Sequence, residues 1–405
     1  METRRLVQPD IVRLWVIGGT NNVVRWLELL SAALFTYELT HSGFAVAVVT
    51  AARTLPMLLF GAFAGVVSEA LDRKRILQWG MLITGLSSAA ICALALSGLA
   101  QPWQIAVASF LCGTVWSTEM SSRRRMVGDL APPALLSRAI AVDSLAGATT
   151  RMIGPLLGGI VYATMGLGGA YAVTTALTLM NFVLAWPIAH SQVARRLSLP
   201  GAARDLLEGL RSAAGIPSVM GVLGITVAMN ACVFCYSAMV APIALTLFGV
   251  PNAQVGFLGA AESAGALVAG ILLARGSPPM APRAFMVAGS VLFAITLMLM
   301  PFVANFWLAC LVLVIGGSGT AAFSNMQTLV VMNGAPPAMR SRLLGLITVS
   351  IGTGPLGQLL IGALADRYGV LPAVEIMAAS GALAILAIGL AWRAAERRPS
   401  PVLAE

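Results

Sequence analysis

Residues 120–159 read MSSRRRMVGDLAPPALLSRAIAVDSLAGATTRMIGPLLGG, and a shorter echo, APPAMRSRLLGLITVSIGTGPLG, occupies 335–357. In the first copy a basic triplet, Arg123 to Arg125, and Arg138 flank a Pro-Pro turn. An apolar stretch follows that carries Asp143, Arg151 and the pair Gly154-Pro155. The second copy repeats Ala131-Pro132-Pro133-Ala134 and Ser137-Arg138 as Ala335-Pro336-Pro337-Ala338 and Ser341-Arg342, with Gly113 recurring as Gly317 at the same offset. Gly154-Pro155-Leu156 returns as Gly354-Pro355-Leu356 after a small slip. A pattern recurring once, half a chain later, is the mark of an internal duplication.

Composition gives the solvent. The chain is 58% hydrophobic and 10% charged, with a mean hydropathy of +0.88, which leaves too little polar surface for a water-exposed domain. A hydrocarbon core is crossed by about twenty apolar residues as helix. Runs of that length predict twelve spans, beginning near Leu14, Gly43, Ile76, Pro102, Ala139, Ala170, Val219, Ala253, Ala284, Asn305, Leu343 and Leu371. The start, METRRLVQPDIVRLW, lacks a small-x-small cleavage site and leads into a run too long for a signal-peptide core, so it is expected to remain as the first helix.

Charge orients these spans. Of 25 Lys and Arg, 21 fall in loops on one side, Arg367 alone on the other, and Arg25, Arg53 and Arg151 inside apolar stretches. Basic loops mark the cytoplasmic face, so both termini are expected there, in a bacterial-type inner (plasma) membrane. The net charge of +9 then reflects orientation and anionic lipid headgroups, with no call for nucleic acid. The domain reading is an N-terminal six-helix bundle over 1–190, a connecting cytoplasmic loop over 191–217, a C-terminal bundle over 218–393 and a tail over 394–405. A parallel repeat of this kind places a cavity between its halves.

Ionisable side chains inside a membrane are costly and mark function. At about 1.5 Å per residue, Arg25, Arg53, Arg151 and Glu262 come out near mid-membrane, Glu28 somewhat beyond it and Asp143 near the cytoplasmic edge. Arg25 and Glu28, three residues apart on one helix, either neutralise each other or serve transport. Asp143 is expected to snorkel to water. Glu262, among Gly, Ala and Ser, and Glu28 are the candidates for carrying a coupling proton. Six of the eight Trp lie near span ends, as interfacial anchors do, leaving Trp26 and Trp116 deeper. With Asn22, Asn230, Tyr236 and Asn325 these two form the candidate substrate cavity, part apolar and part hydrogen-bonding, suited to amphipathic organic molecules.

These segments resemble the major facilitator superfamily, in particular its branch of bacterial siderophore (enterobactin-type), macrolide and multidrug exporters. The resemblance rests on Arg25-Trp26 leading to Tyr37-Glu38-Leu39-Thr40, on Ala52-Arg53-Thr54-Leu55-Pro56 running to Gly65-Val66, on Asp143-Ser144-Leu145 with Arg151-Met152-Ile153-Gly154-Pro155, and on Gly354-Pro355 with Ala365-Asp366-Arg367-Tyr368-Gly369. It implies an all-α membrane fold of twelve helices in two pseudo-symmetric six-helix bundles. Gly65, Glu69, Asp72, Arg73, Lys74 and Arg75 match the superfamily's gating motif, with Glu69 where Asp is usual and Ala70 where Arg is common. The motif's acid contacts are therefore expected to be looser or rerouted. Arg53 and Arg151 match framework positions. Gly154-Pro155-x-x-Gly158-Gly159 matches the tail of the antiporter motif, with Thr150 in place of an upstream Gly. Gly and Pro let such helices approach and bend.

Enzymatic readings fail on inventory. Lys74 is the only lysine and follows Arg73, so no Gly-Lys phosphate loop exists. His41 and His190 are far apart, and Cys232-x-x-Cys235 sits in an apolar helix, so neither metal, cofactor nor disulfide is expected. The expectation is a proton-coupled exporter of small amphipathic organic compounds, a monomer whose partners are lipid, substrate and protons. Metabolite uptake, or a sensor or lipid scramblase built on a transporter fold, are the other readings, because fold does not fix function.

Overall fold

The computed structural model describes residues 8–190, 199–276, 280–336 and 339–397, without the side chains of 62–70, 199–206 and 341. Among the described residues there are helices and no strands, as the interior of a bilayer requires when every backbone polar group must find its partner inside its own segment. In chain order the helices are α1 Pro9–Thr40, α2 Gly43–Ala70, α3 Arg73–Leu96, α4 Pro102–Leu130, α5 Leu136–Ala185 and the connecting α6 Leu199–Ala214. There follow α7 Pro217–Ala228, α8 Val240–Leu247, α9 Asn252–Arg275, α10 Pro282–Met298 and α11 Phe306–Gly334. Helices α12 Arg340–Ile351, α13 Gly354–Tyr368 and α14 Val370–Glu396 close the chain. Pro9, Pro102, Pro217 and Pro282 each open a helix, where the missing N–H is no loss.

Among the described residues eight helical segments are long and apolar enough to cross a membrane. The fifth and sixth expected spans follow one another within α5, as two helical stretches that meet at a kink with no loop between them. The break is a single residue, Gly166, at φ 63° and ψ −168°, a backbone region open essentially to glycine alone. The connection expected to be a loop with some helix contains α6, while 191–198 lie outside the described residues. The seventh expected span is discontinuous: α7 passes into a π turn, Met229–Val233, and a 3-10 turn, Phe234–Met239, before α8 resumes. Such turns inside helices recur at functional sites.

Packing depends on small residues. Gly113 of α4 lies directly on the backbone carbonyl of Arg53, and Gly317 of α11 lies directly on that of Glu262. The glycines that repeat in sequence thus make the same kind of contact in space. Two seams join the halves of the chain: α5 packs against α9, and α2 against α13. Of the tryptophans expected at span ends, Trp79, Trp103, Trp186 and Trp307 are exposed. Trp392 is buried instead, against Gly221.

Candidate functional site

The Gly-Pro segment of α5 is a packing surface with two sides. A Cβ on Gly154 would lie 2.5 Å from Trp26 Cβ, and one on Gly158 would lie 3.2 Å from Leu27 Cα, so this face accepts α1. On the other side a Cβ on Gly159 would sit 3.0 Å from the carbonyls of Asn252 and Ala253, and one on Gly259 would be 3.2 Å from Pro155 Cβ. This close approach brings Arg151, one turn before Gly154, to Glu262, one turn after Gly259. Arg151 Nη2 donates to Glu262 Oε2 at 3.1 Å, and Thr320 Oγ1 on α11 donates to Glu262 Oε1 at 2.7 Å. Glu262 is buried, while the Arg151 side chain is 44% exposed.

A second pair, with both members buried, lies wholly in the N-terminal half. Arg53 Nη1 donates to Glu28 Oε2 at 2.7 Å, and Ser88 Oγ of α3 donates to Glu28 Oε1 at 2.5 Å. Here the structure departs from the Arg25–Glu28 pairing that the spacing permitted: Glu28 turns to α2 and α3. Arg25 instead lays its guanidinium on the Trp116 ring, 3.9 Å from the centroid, and 5.0 Å from that of Trp26. Arg151 also approaches the Trp26 ring, at 5.7 Å from its centroid.

Asp143 was expected to be solvated near the membrane edge. It is buried, bound by Arg123 and with Arg124 Nε at 3.5 Å. Sequence reasoning missed Glu119, also buried, which accepts from Asn21 Nδ2 at 2.9 Å and has Arg123 Nε at 3.9 Å. Asn181 Nδ2 donates to Asn21 Oδ1 at 2.7 Å and accepts from Thr20 Oγ1 at 2.7 Å, which continues the polar chain into α5. The available signal was the i, i+4 spacing of Glu119 and Arg123. Assigning Arg123 to a solvated loop concealed it.

Of the candidate cavity residues, Trp26 and Trp116 converge around Arg25, and Asn22 is half-buried facing Gly147 of α5. Asn325 is exposed on α11, its amide donating to the Ala321 carbonyl at 2.8 Å. Asn230 lies in the π turn, donating to the Thr226 carbonyl at 2.9 Å. Tyr236 is buried against Phe293, at 5.6 Å between ring centroids, in the aromatic core of the C-terminal half.

At the basic end Asp72 caps α3, accepting from the N–H groups of Lys74 at 2.9 Å and Arg75 at 3.4 Å, while Arg73 reaches Asp129 at 2.7 Å. Gly65 and Glu69 lie outside the described side chains. Gly354 faces the Asn230 carbonyl, and Gly357, two residues after Pro355, lies directly on the Ala231 backbone, so this segment packs on the π turn. At the opposite end two carboxylates tie the halves. Glu38 accepts from Tyr162 Oη and from Asn252 Nδ2, the latter at 2.6 Å. Asp366 accepts from Ser42 Oγ at 2.6 Å and from the Phe44 N–H at 3.1 Å, which satisfies a free donor at the start of α2. Among the described residues no cluster of His, Cys, Asp and Glu is placed to hold a metal.

Apolar helices enclosing buried ion pairs, joined across seams of glycine, make a multi-pass membrane bundle. Among solved structures, a bacterial homologue of the human lysosomal transporter Spinster, inward-facing and unoccupied, superposes with a TM-score of 0.74 over 96% of this chain and 98% of its own, at 14% identity. The profile of the family described as transmembrane secretion effector matches residues 6–399, and the chain belongs to that family. It is similar to the multidrug efflux pump Tap of Mycolicibacterium fortuitum, 25% identical over 82% of this chain and 84% of the relative. It is equally similar to the enterobactin exporter EntS of Escherichia coli O1:K1, 25% identical over 80% of this chain and 78% of the relative. The chain is a transporter and not an enzyme.

Proposed function

We propose that this protein exports small amphipathic organic compounds in exchange for protons, by rocking two six-helix bundles about a central site. The observation that carries the reading is the Arg151–Glu262 pair, because it ties a buried acid on α9 to a base on α5 across the seam. Protonating Glu262 neutralises the acid, releases Arg151 and weakens the tie between halves. Protonating Glu28 breaks a contact internal to one half. Glu262 is thus the better placed of the two candidate proton carriers.

In this reading the chain crosses the bilayer twelve times. The eight apolar segments reach that number when Pro133–Ala185 counts as two at Gly166, and Pro9–Thr40, Pro102–Leu130 and Pro282–Met298 are admitted. The matched seats of Gly113 and Gly317 support bundles over 1–190 and 218–393. The basic end faces the cytoplasm, as do both termini, and the Glu38 and Asp366 ties form the outer gate. Trp26, Trp116, Asn22 and Asn325 line the path, and a single chain is the working unit.

The test is purified protein in liposomes holding an internal pH dye, with a proton gradient imposed and amphipathic dyes, antibiotics and siderophores offered in turn. Substrate-dependent proton movement is expected, lost in Glu262→Gln. Substrate movement down its own gradient with no proton response refutes the coupling. Binding without any flux refutes transport and favours a sensor.

A further inference from the structure

The bases within the helices of the N-terminal half are not equally matched. Arg53 has Glu28 at 2.7 Å, Arg151 has Glu262 at 3.1 Å, and Arg123 holds Asp143 with Glu119 at 3.9 Å. Arg25 has no carboxylate partner among the described residues, and its Nε is buried with no hydrogen-bond acceptor. Its guanidinium stacks on Trp116, with Trp26 beside it. A stacked guanidinium keeps its in-plane N–H groups free to bind, and those donors match an oxyanion in fork geometry.

The space beside Arg25 is about 20 Å³, sized for a small polar head and not for a ring. Arg25 lines a crevice between α1, α2, α3 and α4 with Asn21, Arg53, Thr84, Trp116 and Glu119. Glu119 is the acid within that crevice, but its hydrogen bond goes to Asn21 and its nearest cation is Arg123. Arg151, nearly half uncovered, lies 5.7 Å from the Trp26 ring. Two guanidinium groups beside the Trp26 and Trp116 rings suit a planar ring bearing a negative charge. They disfavour a ring bearing a positive one, which meets like charge.

We infer that Arg25, with Trp26, Trp116 and Arg151, forms the substrate subsite for the acidic group of aromatic organic anions. The transported class is therefore anionic rather than cationic amphiphiles. This rests on the export reading in locating the subsite on the transport path, but its binding chemistry can be tested separately.

Three probes with one ring and different charge decide it: 2-naphthoate, 2-naphthamide and 2-naphthylmethylammonium, titrated by calorimetry against the full chain in phosphatidylcholine nanodiscs, with empty discs subtracted. Naphthoate is expected to bind about tenfold more tightly than the ammonium compound, the scale of one charge-assisted hydrogen bond. Arg25→Gln is expected to lose that preference while holding naphthamide within about twofold. Arg25→Lys keeps the charge without the planar fork and should retain part of the preference. No naphthoate binding, equal or tighter ammonium binding, or an unchanged preference in a folded Arg25→Gln protein would each overturn the inference. If Arg25→Gln does not fold, the order of the three probes on the native chain and on Arg25→Lys decides. Flux separates the two claims: export of cationic dyes without naphthoate binding ends this inference alone, and naphthoate binding with no flux of any compound ends the export reading alone.

Discussion

Gly362 on α13 faces α2 across the seam near the Asp366 tie. A Cβ there would strike Ala47 Cβ, lie 2.9 Å from Phe44 Cα and lie 3.0 Å from the Gly43 carbonyl. None of these is the end of a flexible side chain, so Gly362→Ala can be accommodated only if the two helices separate. Ordinary carbon contacts are about 3.5–4.0 Å, which sets the required movement at roughly 0.5–1 Å. Overpacking of this kind costs about 1–3 kcal/mol, felt only while the ends are in contact. At about 1.4 kcal/mol per tenfold, the closed gate loses a factor of about 5–150 relative to the open one. The assay is electron–electron double resonance between nitroxides at Leu39 and Tyr368, both exposed, in a background with the five cysteines replaced. A longer-distance population should grow in Gly362→Ala. Gly270→Ala, where a Cβ meets nothing within 4 Å, should leave the distribution unchanged. If Gly362→Ala lowers the melting temperature with no change in distance, or Gly270→Ala gives the same shift, the seam is a fixed joint and the reasoning fails.

Further outcomes follow from the same geometry. Glu262→Gln should abolish substrate-dependent proton movement in liposomes while substrate binding persists, since the acid it removes ties the halves and Arg151 stays to meet the substrate; loss of binding with coupling intact would reverse that assignment. Removing one member of the buried Arg53–Glu28 pair, as in Arg53→Met, should destabilise by about 3–5 kcal/mol, and the double change Glu28→Leu with Arg53→Met should recover most of it in a thermal melt. Equal losses in single and double variants would show that the pair contributes as packing and not as charge. Asp366→Ala removes the acceptor for the Phe44 N–H and Ser42, about 1 kcal/mol of capping. It should widen the Leu39–Tyr368 distribution by roughly fivefold in open population, and an unchanged distribution argues against a gate there.

How much of this was readable in advance is clearest from individual residues. Hydropathy placed the helices closely, with Gly43 and Pro102 predicted as starts and found as starts. It separated the two helical stretches of α5 but not how they meet, because a chain that turns at one glycine has the same composition as one that loops. Gly113 and Gly317 were matched by spacing alone, and each proved to sit on a backbone carbonyl. Arg25 and Glu28, three apart, looked like a pair; rotation of α1 within its neighbours sends one to Trp116 and the other to Arg53. Asp143 looked exposed because its position along the span was near an edge, yet Arg123 from α4 folds over it.

The sequence by itself determined the solvent, the helical class, the alternation of basic ends and the internal repeat. These depend on local composition and on periods along one chain, which no packing can alter. Only the tertiary structure decided which acid answers which base, that Glu119 belongs to the buried network and that Arg25 meets no acid among the described residues. A charge's partner lies on another helix, and the rotation and approach of helices are settled by small residues meeting backbone, at distances that linear spacing does not encode.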